Sequence, residues 1–295
     1  MRGMVREETG QFVKTTHLKR RMAMRGMVRS VMVLLLAMAL WVPVAYGANT
    51  LDKIKKDGKI VIGVKTDYRP FGFLDPSGKN VGMEIDMAYD IAKRLGVKPV
   101  LITTQSGNRN EFLLTGKVDL ILCTMSETPA RRQVLGFIDP SYYAGGTNIL
   151  AKKSMGFKKW NDLRGKKVCG TQGAYYNRRV GELYGAAILA FPGTMEALTD
   201  LQNDNCVAFL QDSTLIESML SSGDPKWAGY EMPLPTEDSQ TWHMAVPKDE
   251  VEGPYGQFFK NLVIEWHKAR YIIELNEKWK LSPVPFLEEM HKKYK

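Results

Sequence analysis

The chain has 295 residues, of which 44% are hydrophobic and 25% charged, and a formal net charge of +9 from 41 Lys+Arg and 32 Asp+Glu. This is ordinary globular composition and excludes a collagen-like, disordered or disulfide-dense chain. The length suits one large or two modest domains with real cores. A surplus of positive charge raises the question of nucleic acid or an anionic membrane, so its location matters.

Six of the nine charges sit at the front. Residues 1–47 carry Arg2, Arg6, Lys14, Lys19, Arg20, Arg21, Arg25 and Arg29 against Glu7 and Glu8. The uncharged apolar run VMVLLLAMALWV (31–42) follows, then Pro43 and Ala45-Tyr46-Gly47. A basic stretch, a short apolar run and a small-residue cleavage site predict a signal peptide over 1–47. As a helix the run spans only ~18 Å, short of the ~30 Å core of a bilayer, which argues against a membrane anchor. MRGMVR occurs at 1–6 and again at 24–29, so Met22, Met24 and Met27 are alternative starts to Met1. The first cysteine is Cys123, too far downstream to receive a lipid at the cleavage point. Cleavage after Gly47 leaves 248 residues with 33 basic and 30 acidic side chains, a net +3. The expectation is a free exported protein.

From Leu51 onward strand and helix patterns alternate. KIVIGVK (59–65) reads as a buried strand bounded by Gly58 and Asp67. MEIDMAYDIAKRLG (83–96) reads as a helix with Ile85, Ala88, Ile91, Ala92 and Leu95 on one face and Gly96 as its stop. A strand at 98–103, a short helix at 109–116 and a strand at 118–123 follow. Thr128-Pro129 opens another helix, with Thr as cap and Pro in the first turn. A second round places strands at 146–153, 166–171, 187–191 and 206–211, with helices at 174–185, 193–203 and 213–222. The pattern then changes to a strand at 242–247 and helices at 257–270 and 272–280. Repeated βα units predict an α/β protein of two lobes, each with a mostly parallel sheet.

Four segments carry a resemblance. GKIVIGVKTDYRPFGFLDPSGKNVGMEIDMAYDIAKRLG, then GKVDLILCTMSETPARR with FIDPSYYAGG, then GKKVCGTQGAYY, then the strand ending FLQDST stand in order and at matching spacing. Together they resemble bacterial extracellular solute-binding proteins of family 3, the amino-acid receptors of ABC importers, from about Leu51 to Lys280. The resemblance implies a two-lobed type II periplasmic binding protein with two crossover strands. Lobe 1 is then 51–146 plus 243–295, lobe 2 is 147–242, and the ligand lies between them. It also implies a periplasmic location, a free amino acid as ligand, and the permease and ATPase of an importer as partners. The expected state is a monomer without cofactor, metal or nucleic acid.

The resemblance assigns the site residue by residue. Arg131 matches the arginine that grips the ligand α-carboxylate, for which a guanidinium fork is suited; the alternative is a surface ion pair, to which Arg132 is better placed. Ser126 offers a hydroxyl and an N–H to the same carboxylate, and Thr124 offers its carbonyl to the ammonium; an ordinary strand-to-helix turn is the alternative for both. Asp212 matches the counter-ion of the α-ammonium, with a helix cap as the alternative. Tyr68 and Phe71 are candidates for a pocket wall, or for the core. Lys65 and Arg109 match basic residues that hold the side-chain carboxylate in the aspartate/glutamate branch, which points to an acidic ligand. A solvated strand end and a helix-start surface residue are their alternatives. Thr171 and Gln172 face the cleft in this reading. The chain departs from the family at GAYY (173–176), where many members read GTT, and at Met125 and Glu127.

Cys169 and Cys206 match cysteines that a subset of the family pairs, and an exported compartment permits the bond; two buried thiols are the alternative. Cys123 is left as a small buried apolar residue. An enzyme on the same scaffold, such as the cyclohexadienyl dehydratases that resemble this family, is the alternative function. It would need a positioned acid or base, and His243 at the second crossover is the residue to watch. A periplasmic sensor partner is a third possibility. No G-x-S-x-G, H-E-x-x-H, C-x-x-C or Walker motif occurs.

Overall fold

The computed structural model describes residues 49–295. The expected signal peptide lies outside the described residues. Helix α1 (Thr50–Asp57) leads into β1 (Lys59–Val64). Three short strands, β2 (Asp67–Tyr68), β3 (Gly72–Leu74) and β4 (Asn80–Val81), form a small sheet of their own. Helix α2 (Met83–Leu95), β5 (Lys98–Thr103), α3 (Arg109–Leu114), β6 (Leu120–Ile121), α4 (Pro129–Val134) and β7 (Leu135–Phe137) complete the first round. The second comprises β8 (Tyr143–Lys152), β9 (Lys167–Thr171), α5 (Tyr176–Tyr184), β10 (Ala187–Phe191), α6 (Thr194–Gln202), β11 (Ala208–Asp212), α7 (Ser213–Ser221), β12 (Tyr230–Glu231) and β13 (Glu237–Trp242). The chain returns through β14 (Ala245–Pro247) and closes with α8 (Pro254–Lys268), α9 (Tyr271–Lys278) and α10 (Pro285–Tyr294).

Two larger sheets result, ordered β5-β1-β6-β14-β7 and β10-β9-β11-β8-β12, with β13 paired to β8. Each has a parallel core. β1 lies between β5 and β6, and β9 between β10 and β11. The antiparallel member is the strand next to a crossover, β14 in the first sheet and, in the second, β8, which pairs antiparallel with β11, β12 and β13. β1 is held in place because Ile60, Ile62 and Val64 are fully buried. Its β5 partner runs in register from Lys59↔Lys98 to Val64↔Thr103. Helix α2 buries Ile85, Met87, Ala88, Ile91 and Ala92 and ends at Gly96, whose φ of 69° is the left-handed turn expected of a glycine stop.

The chain passes between the sheets twice, at residues 138–142 and at His243–Met244. The two crossings are hydrogen-bonded to each other, Ile138 N to Met244 O at 3.0 Å and Tyr142 N to Trp242 O at 2.9 Å. Beside them Phe71, Tyr143 and Trp242 form a mutual aromatic cluster with centroids 5.0–5.3 Å apart. Phe71 therefore belongs to the core. Disulfide Cys169–Cys206 is formed, with Cα atoms 5.7 Å apart, and ties β9 to the segment entering β11. Cys123 is a buried free thiol.

Two expectations need correction, and one helix lies beyond those expected. The strand over 242–247 is broken at His243, because the chain leaves one sheet there and joins the other. The strand over 118–123 is regular only at Leu120–Ile121. The C-terminal helix α10, with Leu287 and Met290 buried, was not anticipated.

Candidate functional site

The expected site residues lie where parallel strands end and helices begin, which is where open α/β sheets offer backbone groups to a ligand. From the first sheet's side come Lys65 after β1, Tyr68 on β2 of the small sheet, Arg109 opening α3, the Cys123–Ser126 segment after β6, and Arg131 in α4. From the second come Gly173–Tyr176 after β9 and the Gln211–Asp212 end of β11. Thr128 accepts a hydrogen bond from Arg131 N at 3.2 Å, so cap and guanidinium are placed together.

A small cavity lies between the two sets, lined by Tyr68, Ser106, Arg109, Thr124, Ser126, Ala174, Tyr175, Tyr176, Gln211 and Asp212. It encloses about 10 Å³, roughly the room of one water. Five of the eight expected ligand-site residues line it. Lys65 and Arg131 stand just behind the wall. Lys65 Nζ donates to the lining Ser106 at 2.9 Å and lies 5.5 Å from the Tyr68 ring centroid. Arg131 donates Nη1 to Ser126 O at 2.6 Å and Nη2 to Gly173 O at 2.7 Å, one carbonyl from each sheet's side. Thr171 is not on the wall; its carbonyl accepts from Asn177 at 2.7 Å.

Asp212 occupies the cap position of α7, yet its side chain makes no capping bond. Its Oδ2 instead accepts from the Tyr68 hydroxyl, across the cavity. Its Oδ1 is buried with no partner. Burial pushes the Asp212 carboxyl up to about 6, against the pull of Tyr68, Lys65, Arg109 and Arg131. Burial, then the like charge of Arg109, pushes Lys65 down and Arg131 down to about 9. Arg109 is almost fully buried; Nη1 donates to Cys123 O at 2.6 Å, and Nε has no partner.

Sequence reasoning missed two groups, Gln211 and Glu84. Gln211 Oε1 accepts from Tyr176, from Asp212 N at 3.0 Å and lies 3.1 Å from the Tyr68 hydroxyl. Glu84, fully buried in the first turn of α2, accepts from Thr124 N at 2.7 Å and from Tyr142. Its carboxyl is pushed up to about 7 by burial. Thr124 has a φ of 46°, rare for a residue with a Cβ. Glu84 thus pins the turn that aims the Thr124 carbonyl. Tyr175 fills space at the second-sheet side, bonded to Thr147 and to Asp238 O, both at 3.0 Å. The available signal was a polar residue inside a buried element, visible at Glu84 and Gln211 but open to a bland reading.

His243 is not on the cavity. It is buried at the second crossover, with Nδ1 donating to Ile138 O at 2.9 Å and Nε2 2.9 Å from Thr241 Oγ1. Burial lowers its pKa.

Two α/β lobes joined by paired crossovers, with cations, a buried carboxylate and aromatic rings meeting in the cleft, define a bilobal ligand-binding protein. The family model for bacterial extracellular solute-binding proteins, family 3, matches residues 60–279, and the chain belongs to that family. A glutamine-binding protein of Geobacillus stearothermophilus is 33% identical over 187 residues, covering 61% of this chain and 71% of that one. The arginine-binding protein of T. maritima, solved as a mutant, superposes with a TM-score of 0.72 at 27% identity, covering 78% of this chain and 99% of that one. An ancestral amino-acid-binding protein, described as a precursor of cyclohexadienyl dehydratase, superposes at 0.68 with 28% identity, covering 78% and 99%.

Proposed function

We propose that the chain is an exported, monomeric receptor that captures an acidic amino acid, aspartate or glutamate, and delivers it to the permease and ATPase of an ABC importer. The observation that carries this reading is the convergence of Lys65, Arg109 and Arg131 with the half-unpartnered Asp212 on one interlobe cavity. Arg131 and Ser126 hold the α-carboxylate. Asp212 and the Thr124 carbonyl hold the ammonium, with Tyr68 as the wall between them and Thr171 behind. Lys65 and Arg109 take the side-chain carboxylate. Three cations against the carboxylates of Asp212 and Glu84 leave a local charge of +1 when both acids are ionised. That complements the net −1 of an acidic amino acid and opposes a basic one.

The relatives named above take glutamine and arginine, so the acidic class rests on Lys65 and Arg109 alone. A cavity of about 10 Å³ is far too small for an amino acid, so entry requires the lobes, 51–146 with 243–295 and 147–242, to part about the crossovers. Residues 1–47 supply the export signal.

Calorimetric titration with the twenty amino acids and small dicarboxylates tests the reading. Micromolar or tighter binding of aspartate or glutamate is expected. Binding of no amino acid sinks the receptor; preference for a neutral or basic one sinks only the acidic assignment.

A further inference from the structure

Adjacent residues of β2 reach two different parts of the second lobe. Tyr68 turns into the cavity and bonds Asp212 at the end of β11. Asp67 turns the other way, and its Oδ2 accepts from the backbone N–H of Thr194 at 2.8 Å. Thr194 is the first residue of α6, and the cap position before it is Gly193, which has no side chain to offer. The first free N–H of a second-lobe helix is thus satisfied by a first-lobe carboxylate. This does the work of a cap residue and places a negative charge at the positive end of the helix dipole.

Gly193 makes the room. A Cβ built there would lie 3.0 Å from Asp67 Oδ2, 2.5 Å from Glu196 Oε2 and 3.3 Å from Gln105 Nε2. Its φ of −126° and ψ of 174° suit any residue, so glycine serves the space and not the backbone conformation. Asp67 is absent from the cavity lining and lies instead on a neighbouring groove of about 490 Å³ with Arg69, Thr194 and Met195.

We infer that Asp67 is a closure latch, a positioning residue that caps α6 only when the lobes are together and so sets affinity and release without touching the ligand. The inference rests on the reading that the cleft opens and closes around an amino acid. A contact made in only one of two states biases their equilibrium by its own free energy. Losing a cap is expected to shift the closed fraction, and with it the apparent affinity, about five- to thirtyfold. Because encounter happens in the open state, the change should fall on dissociation and leave association nearly untouched.

The test uses spin labels at Lys79→Cys and Arg178→Cys, both exposed and one on each lobe. Inter-label distances are measured on the protein alone, and stopped-flow kinetics with L-glutamate as the probe. Asp67→Ala should shift the distance distribution of the protein alone to longer separations and speed glutamate release five- to thirtyfold. Asp67→Asn, which keeps an acceptor oxygen, should lie between Asp67→Ala and the parent. Gly193→Ala should displace Asp67 and reproduce the effect, and combined with Asp67→Ala it should add nothing. Unchanged distances in Asp67→Ala, or a loss confined to the association rate, overturn the latch. If neither glutamate nor aspartate binds the parent protein, the acidic assignment fails, and if no amino acid binds, the receptor reading fails; in either case the distance shift still decides the latch.

Discussion

Replacing Asp212 by Asn should make the protein bind worse and fold better. The carboxyl is 5% exposed and is pushed from 3.8 up to about 6 by burial. The sign follows from linkage. An acid whose pKa is raised on folding destabilises the native state, fully so above its folded pKa of about 6 and not at all below 3.8. The shift of about two units corresponds to about 3 kcal/mol at neutral pH. Asn keeps an oxygen for Tyr68 and discards the charge, so at pH 7.5 the variant should gain up to about 3 kcal/mol. For a chain of this size that is a rise of roughly 6–12 °C in Tm. The gain should shrink as pH falls through 6 and vanish near 4. Binding should move the other way, because removing one partner of a buried charge pair costs about 3–5 kcal/mol, roughly two to four decades in Kd. In the parent protein, affinity should also fall by up to about tenfold per pH unit below 6 as Asp212 takes a proton. Urea and thermal denaturation at pH 7.5 and 4.5, with calorimetry against glutamate, measure both arms. A variant that is less stable at pH 7.5, or that binds glutamate as tightly as the parent, refutes the reasoning.

Arg131→Ala should abolish binding of every amino acid, by at least about a hundredfold, since it removes a fork that organises both Ser126 and Gly173 carbonyls. Retained affinity in calorimetry would show that the α-carboxylate is held elsewhere. Arg109→Ala should weaken aspartate and glutamate more than glutamine; equal losses, or none, reject its role in recognising the side-chain carboxylate. Replacing Cys169 and Cys206 by Ser opens a loop with a sequence separation of 37. The cost expected from loop-closure entropy is about 4 kcal/mol, and unfolding free energies of the parent from denaturant titration with and without reductant should differ by the same amount.

Much of the fold was legible in the sequence because apolar patterning announces itself. β1 and β5 each carry a short apolar, β-branched core, β10 is an apolar run, and α2 carries a full apolar face ending in glycine. The small β2-β3-β4 sheet was not legible, since strands of two or three residues are too short to show a period. The break at His243 was hidden for a related reason. WHMAVP reads as one strand, and only the position of two separate sheets divides it. At the site, Arg131 and Asp212 were named by the family resemblance, whose motifs fall at strand-to-helix junctions. Gln211 and Glu84 were not. Each is a polar residue on an otherwise buried element, and what it does depends on partners 35 to 143 positions away in the chain.

The charge that opened the sequence divides the same way. By itself the sequence determined that six of nine positive charges lie in residues 1–47 and that βα units repeat, local properties written in composition and in the spacing of apolar residues. Which junctions could carry ligand chemistry came from the motifs' resemblance to the family. Only the tertiary structure decided which charges meet. Lys65, Arg109 and Arg131 share one cleft with Asp212, Glu84 is locked beneath Thr124, and Asp67 reaches past the cleft to cap a helix that begins 127 positions later. Electrostatics and capping act over a few ångströms, and separation along the chain does not encode that distance.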